Sequence, residues 1–97
     1  MLFALICIDN PDSSELRSVM RASHLAYIDA QLRQVKIAGP FMSDDDQTML
    51  GSLIVIEALD IAAARAFAAA DPYALGGLFS TVDIKPWRWT VGAPKGG

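Results

Sequence analysis

Two apolar runs, Leu2 to Ile8 and Leu50 to Ile56, the second broken only by Ser52, constrain this chain more than any other feature. A strand with one wet face alternates apolar and polar residues, whereas a continuously apolar strand must be covered on both faces. Both runs therefore belong in the middle of a sheet, and the rest of a 97-residue chain has to supply the cover. With 53% hydrophobic and 20% charged residues it can build one core, so a single domain over residues 1–91 is expected, followed by a Gly, Ala, Pro and Lys tail at 92–97.

The intervening segments follow in order. Asn10-Pro11 reads as a helix N-cap with proline at the first helical position, and Asp12 and Glu15 put negative charge where the helix dipole favours it. That helix is expected to run to about Gln34. Val35 to Met42 alternates Val35, Ile37, Gly39 and Phe41 against Lys36, Ala38 and Pro40, as a strand does. Asp44-Asp45-Asp46-Gln47 turns it into the second apolar run, making a hairpin. Asp60 caps an Ala-rich helix over Ile61 to Ala70, and Asp71-Pro72 ends it and starts a short turn that stops at Gly76-Gly77. Leu78 to about Val91 is the last strand, with Val82 and Ile84 on one face and Thr81, Asp83, Lys85, Trp87 and Trp89 on the other.

The order β-α-β-β-α-β gives an α+β fold, a four-stranded antiparallel sheet of the ferredoxin-like kind with both helices on one face. Its other face still carries apolar residues and two tryptophans. A second copy of the same sheet is the economical cover, so a homodimer is expected, with further assembly left open.

Charge and residue counts remove whole classes of function. A net charge of -3 and a pI near 4.8 without clustered Lys or Arg disfavour nucleic acid and anionic membrane surfaces. One Cys and one His exclude an intramolecular disulfide, a zinc finger and any site needing two histidines, and no metal is expected. No P-loop or GxGxxG is present. Leu2 to Ile8 is too short for a signal sequence, no run spans a membrane, and a cytoplasmic location is the default.

On a helical wheel Leu16, Val19, Met20, Tyr27 and Ala30 form the expected core face of the first helix. His24 lies at its border, on a stripe with Arg17, Arg21 and Ile28. That position suits a catalytic imidazole, but the plainer reading of the residues alone is a packed, hydrogen-bonded histidine at a helix edge. Arg17 and Arg21 read as solvated helix charges. Asp71 directly follows a helix whose dipole disfavours a carboxylate there, which marks it either as the cap of the Pro72-Tyr73-Ala74 turn or as a functional group. Ser23 is one step round the helix from His24, the wrong geometry for a nucleophile pair. Cys7 reads as an inert strand residue, and Asp44 to Asp46, without the spacing of a calcium loop, as a solvated hairpin.

Taken together, Arg21-Ala22-Ser23-His24-Leu25-Ala26-Tyr27, Ala38-Gly39-Pro40-Phe41, Gly51-Ser52-Leu53, Asp71-Pro72-Tyr73, Gly77-Leu78-Phe79 and Ile84-Lys85-Pro86-Trp87 resemble the YciI-like (YCII) family over roughly residues 3 to 89. Arg33-Gln34 depart from the Gly that the family often has between helix and strand. The resemblance implies a dimeric α+β barrel of ferredoxin-like subunits, with the family's motif histidine at His24 and motif aspartate at Asp71. Arg21, Ser23 and Tyr73 are the expected substrate-binding residues beside them. Some members resemble cofactor-free dehydrochlorinases of hydroxylated chloroaromatics. The resulting expectation is a cofactor-independent enzyme whose His24–Asp71 dyad performs an elimination or isomerisation on a small cyclic or phenolic substrate. The alternative is a non-catalytic dimeric module that binds a small molecule or serves as an accessory subunit.

Overall fold

In the computed structural model, which describes residues 1–95, the elements are β1 (Leu2–Asp9), α1 (Ser14–Ala30), β2 (Val35–Met42), β3 (Met49–Glu57), α2 (Ile61–Ala70), α3 (Pro72–Leu75) and β4 (Phe79–Trp87). The strands form one antiparallel sheet in the order β2-β3-β1-β4, the ferredoxin-like arrangement. The two apolar runs are its central strands, which is why neither alternates. On β1, Phe3, Leu5 and Cys7 enter a core with Ile54 and Ile56 of β3, Ile28 of α1 and Phe67 of α2. The alternate residues Leu2, Ala4, Ile6 and Ile8 point to the helix-free face, where Ile8, Ile37 and Trp87 are exposed. Among the described residues no helix is long and apolar enough to cross a membrane.

Several boundaries differ from the sequence expectation for identifiable reasons. Asn10 does not cap α1. Its backbone N–H donates to the Leu78 carbonyl at 2.8 Å and its side-chain amide donates to Gly77 and Leu78, so it fastens the exit of β1 to the entry of β4. Asp12 then takes a left-handed φ of 57°, and the helix starts only at Ser14. At its other end α1 stops at Ala30, and the bonds from Gln34 and Val35 N–H to the Gln31 carbonyl close tight turns up to β2. Strand β4 ends at Trp87 rather than Val91. A bulge between Val35 and Ile37 breaks the expected alternation of β2: Val35 joins the core while Ile37 lies opposite Val55 on the other face. The tail expected at 92–97 lies in part, at 96–97, outside the described residues.

The larger correction concerns α1. Its buried residues are Arg17, His24 and Ile28, while Leu16 and Val19 are exposed and Met20 and Tyr27 only half-buried. Apolar periodicity loses because Arg17 and His24 each meet a carboxylate beneath the helix, and a buried polar group with its partner in place no longer carries the cost of desolvation alone.

Candidate functional site

Two local rules place Asp71. It terminates α2, and its extended backbone (φ -62°, ψ 128°) makes it the N-cap of α3, with Oδ1 accepting the Tyr73 N–H at 2.9 Å. The same carboxylate faces α1, where the Nδ1–H of His24 donates to Oδ1 and Oδ2 at 2.8 and 3.0 Å. Both side chains are buried, Asp71 to 2% and His24 to 7% exposure. Capping and pairing are therefore one arrangement: the turn that needs Asp71 as a cap aims it at the imidazole. The other ring nitrogen, Nε2, makes no hydrogen bond within the described chain, is not a sealed polar atom, and belongs to a ring that lines a cleft.

Tyr73 fixes the ring plane, stacking on the imidazole at 4.0 Å between centroids and 12° between planes. Arg17 sits over the same tyrosine, with Cζ 4.6 Å from the ring centroid. Its guanidinium is clamped by Asp9, Nε to Oδ2 at 2.7 Å and Nη2 to Oδ1 at 2.9 Å, and Nη2 also donates to Ser52 Oγ at 2.9 Å. Burial would lower the guanidinium, but the hydrogen bond and charge of Asp9 outweigh it and hold Arg17 above its ordinary value. The Tyr73 phenol is pushed up by burial against the pull of Arg17 and Arg21, so both arginines act on that hydroxyl. Under the cluster, burial and the charge of Asp71 push the Cys7 thiol up to about 12, which leaves it protonated and unreactive.

The cleft holds about 220 Å³ between α1 and the β2–β3 hairpin. Arg17, Arg21, His24, Ser52 and Tyr73 supply its polar wall, and Leu25, Ile28, Pro40, Met49 and Ile54 much of its apolar wall. Of the candidate residues, His24, Asp71 and Tyr73 come together in the buried cluster, and Arg21 stands at the exposed rim without an ion pair among the described residues. Ser23 is exposed on α1 and does not line the cleft. Arg17 is not a solvated charge as expected: it is 4% exposed. Sequence reasoning misses Asp9, and it meets Ser52 only within the Gly51-Ser52-Leu53 segment, with no role. The available signal was the shared stripe of Arg17, Arg21 and His24, together with an aspartate closing an otherwise apolar strand.

A wider groove of about 1080 Å³ runs past Met1, Leu2, Glu57, Trp87, Trp89 and Pro94, at the other end of the sheet from the dyad. The Asp44 to Asp46 run is a hairpin turn, with Asp45 Oδ1 accepting from Ser43 Oγ and the Gln47 N–H. Among the described residues no three His, Cys, Asp or Glu side chains are grouped to hold a metal.

Comparison with known proteins agrees with this architecture. The sequence model of the YCII-related domain matches residues 1–88. Protein YciI of Escherichia coli O6:H1 is 32% identical over 95 residues, spanning 91% of this chain and 97% of that protein. An uncharacterized protein of Haemophilus influenzae is 28% identical over the same shares. Among solved structures, the 5-chloro-2-hydroxyhydroquinone dehydrochlorinase of Burkholderia phenoliruptrix, in complex with 2,5-dihydroxybenzoquinone, superposes with a TM-score of 0.83 at 30% identity, covering 91% of this chain and 94% of that one.

Proposed function

The chain belongs to the YCII-related family, and from that premise we propose that it is a cofactor-independent enzyme performing acid–base elimination or isomerisation on a small hydroxylated ring. The observation carrying this reading is the buried bond from His24 Nδ1–H to Asp71, which leaves Nε2 as the basic nitrogen on the cleft. Asp71 fixes the tautomer and stabilises the imidazolium that forms when Nε2 takes a proton. Stacking on Tyr73 holds the ring in one plane, so the base is positioned before the substrate arrives.

For a chlorinated hydroxyhydroquinone the steps balance without an external oxidant or reductant. His24 carries a hydroxyl proton to the chlorine-bearing ring carbon, giving the keto tautomer. It then removes the proton of a conjugated second hydroxyl while the freed electron pair forms a carbonyl and expels chloride, for a net loss of HCl. Arg21 at the rim and Tyr73 line the same cleft as His24, where the substrate oxygens would lie.

The test is chloride release from anaerobic 5-chloro-2-hydroxyhydroquinone by the purified protein. The wild type is expected to exceed His24→Asn by about 10² to 10⁴ in rate, and Asp71→Asn to lose a similar factor, as general-base catalysis requires. Release no faster than in buffer, or unchanged in His24→Asn, contradicts the proposal.

A further inference from the structure

We infer that Arg17 and Ser52, with Arg21 at the rim, form an oxyanion-binding wall, so that the cleft selects a small planar ring carrying a negatively charged oxygen. This deepens the proposed function and rests on reading the cleft as its substrate site. Both carboxylates of the cluster are absent from the cleft wall: Asp9 is engaged on Arg17, and Asp71 on His24 and the Tyr73 N–H. Apart from the bare Nε2 of His24, the polar groups on the wall are donors or carry a spare proton. Arg17 makes its hydrogen bonds to Asp9 and Ser52 through Nε and Nη2, so Nη1 is engaged by neither, with the Tyr73 hydroxyl its one near neighbour of that kind, and no buried side-chain nitrogen or oxygen among the described residues lacks a partner. Ser52 Oγ already accepts from Arg17 Nη2, which leaves its own proton to donate, and the residue is 3% exposed. Arg21 contributes a cation that no carboxylate neutralises among the described residues.

Asp9 gives this wall its rigidity. The bidentate grip fixes the guanidinium plane before a ligand arrives, so little reorganisation remains for binding. Size limits the ligand further: about 220 Å³ lies below the range of roughly 300 to 1,000 Å³ typical of pockets for drug-sized molecules, which leaves room for about one ring with small substituents. The apolar wall of Ile28, Pro40 and Ile54 suits its faces. In the proposed reaction the anionic oxygen would rest on Arg17 and Ser52 while Nε2 of His24 handles the proton.

Benzoate and benzamide separate charge from shape, because they share a ring and nearly a volume and differ in the negative charge. Calorimetric titration of the wild type is expected to favour benzoate by tenfold or more, and Ser52→Ala and Arg21→Met each to weaken benzoate about tenfold while leaving benzamide unchanged, the size of one hydrogen bond to a charged group. These two variants leave the Asp9–Arg17 pair in place, so folding is preserved where Arg17→Met would strand a buried carboxylate. Equal affinity for the two probes, or benzoate binding indifferent to both substitutions, overturns the inference. His24→Asn keeps the two proposals apart: retained benzoate preference beside lost chloride release supports the wall independently of the base, and an inactive wild type that still prefers benzoate contradicts the enzyme reading alone.

Discussion

At the scale of single residues, the buried polar groups of this protein come in partnered sets. Arg17 has Asp9 and Ser52, His24 has Asp71 and Tyr73, and no buried side-chain nitrogen or oxygen among the described residues lacks a partner. Cys7, like the Tyr27 and Tyr73 phenols, is held toward its neutral form by burial, and it makes stability depend on alkaline pH. Its thiol stays protonated in the folded state up to about 12, whereas in the unfolded chain it ionises from its ordinary 9.0. Between those values the unfolded state binds fewer protons, so stability is full below pH 9 and falls as pH rises, by about 1.4 kcal/mol per unit at most. Urea unfolding at stepped pH is expected to show that decline, and Cys7→Ala to flatten it between pH 9 and 10, below the ordinary value of 10.0 from which Tyr27 and Tyr73 add their own. The same burial makes the native thiol inert to aromatic disulfide reagents until the protein unfolds.

At the scale of elements, strands β1 and β3 were legible because continuous apolarity has one structural meaning, and Asp60 was legible as a cap, its Oδ1 accepting the Ala63 N–H at 2.9 Å. His24 and Asp71 were legible as odd residues: a histidine at the border of an apolar face, and a carboxylate at the wrong end of a helix. Which way α1 turns was not legible. Its apolar residues favoured Leu16 and Val19, and what decides the matter is Asp9 on another element, which a wheel cannot see. Asn10 misled for the same reason, since its role depends on Gly77 and Leu78 far along the chain. Another long-range constraint sits at Gly51 of β3, which pairs with Ile8 of β1. A Cβ there would collide with the backbone carbonyl of Cys7. Gly51→Ala is therefore expected to lower stability by about 1 to 3 kcal/mol in denaturant titration, while Gly39→Ala, where a Cβ meets nothing, is expected to change it far less.

At the scale of the whole molecule, the helices cover one face of the sheet and leave the other bearing Ile8, Ile37, Trp87 and the Trp87–Trp89 pair, whose centroids lie 5.6 Å apart. A second copy packed sheet on sheet would bury that surface, and sedimentation at micromolar concentration is expected to give twice the 10.4 kDa chain mass. Trp87→Ser should then shift the equilibrium toward monomer by about 2 kcal/mol, as the loss of an aromatic anchor of an interface does. A monomeric wild type would leave the bare face unexplained.

The account turns on the tautomer of one imidazole. Because His24 is the single histidine of the chain, nitrogen-15 NMR of histidine-labelled protein reads it directly in its neutral form. The bond to Asp71 predicts a protonated Nδ1 and a bare, pyridine-like Nε2, with that preference lost in Asp71→Asn. A proton resident on Nε2, or a tautomer indifferent to Asp71, would contradict the assignment of His24 as the base.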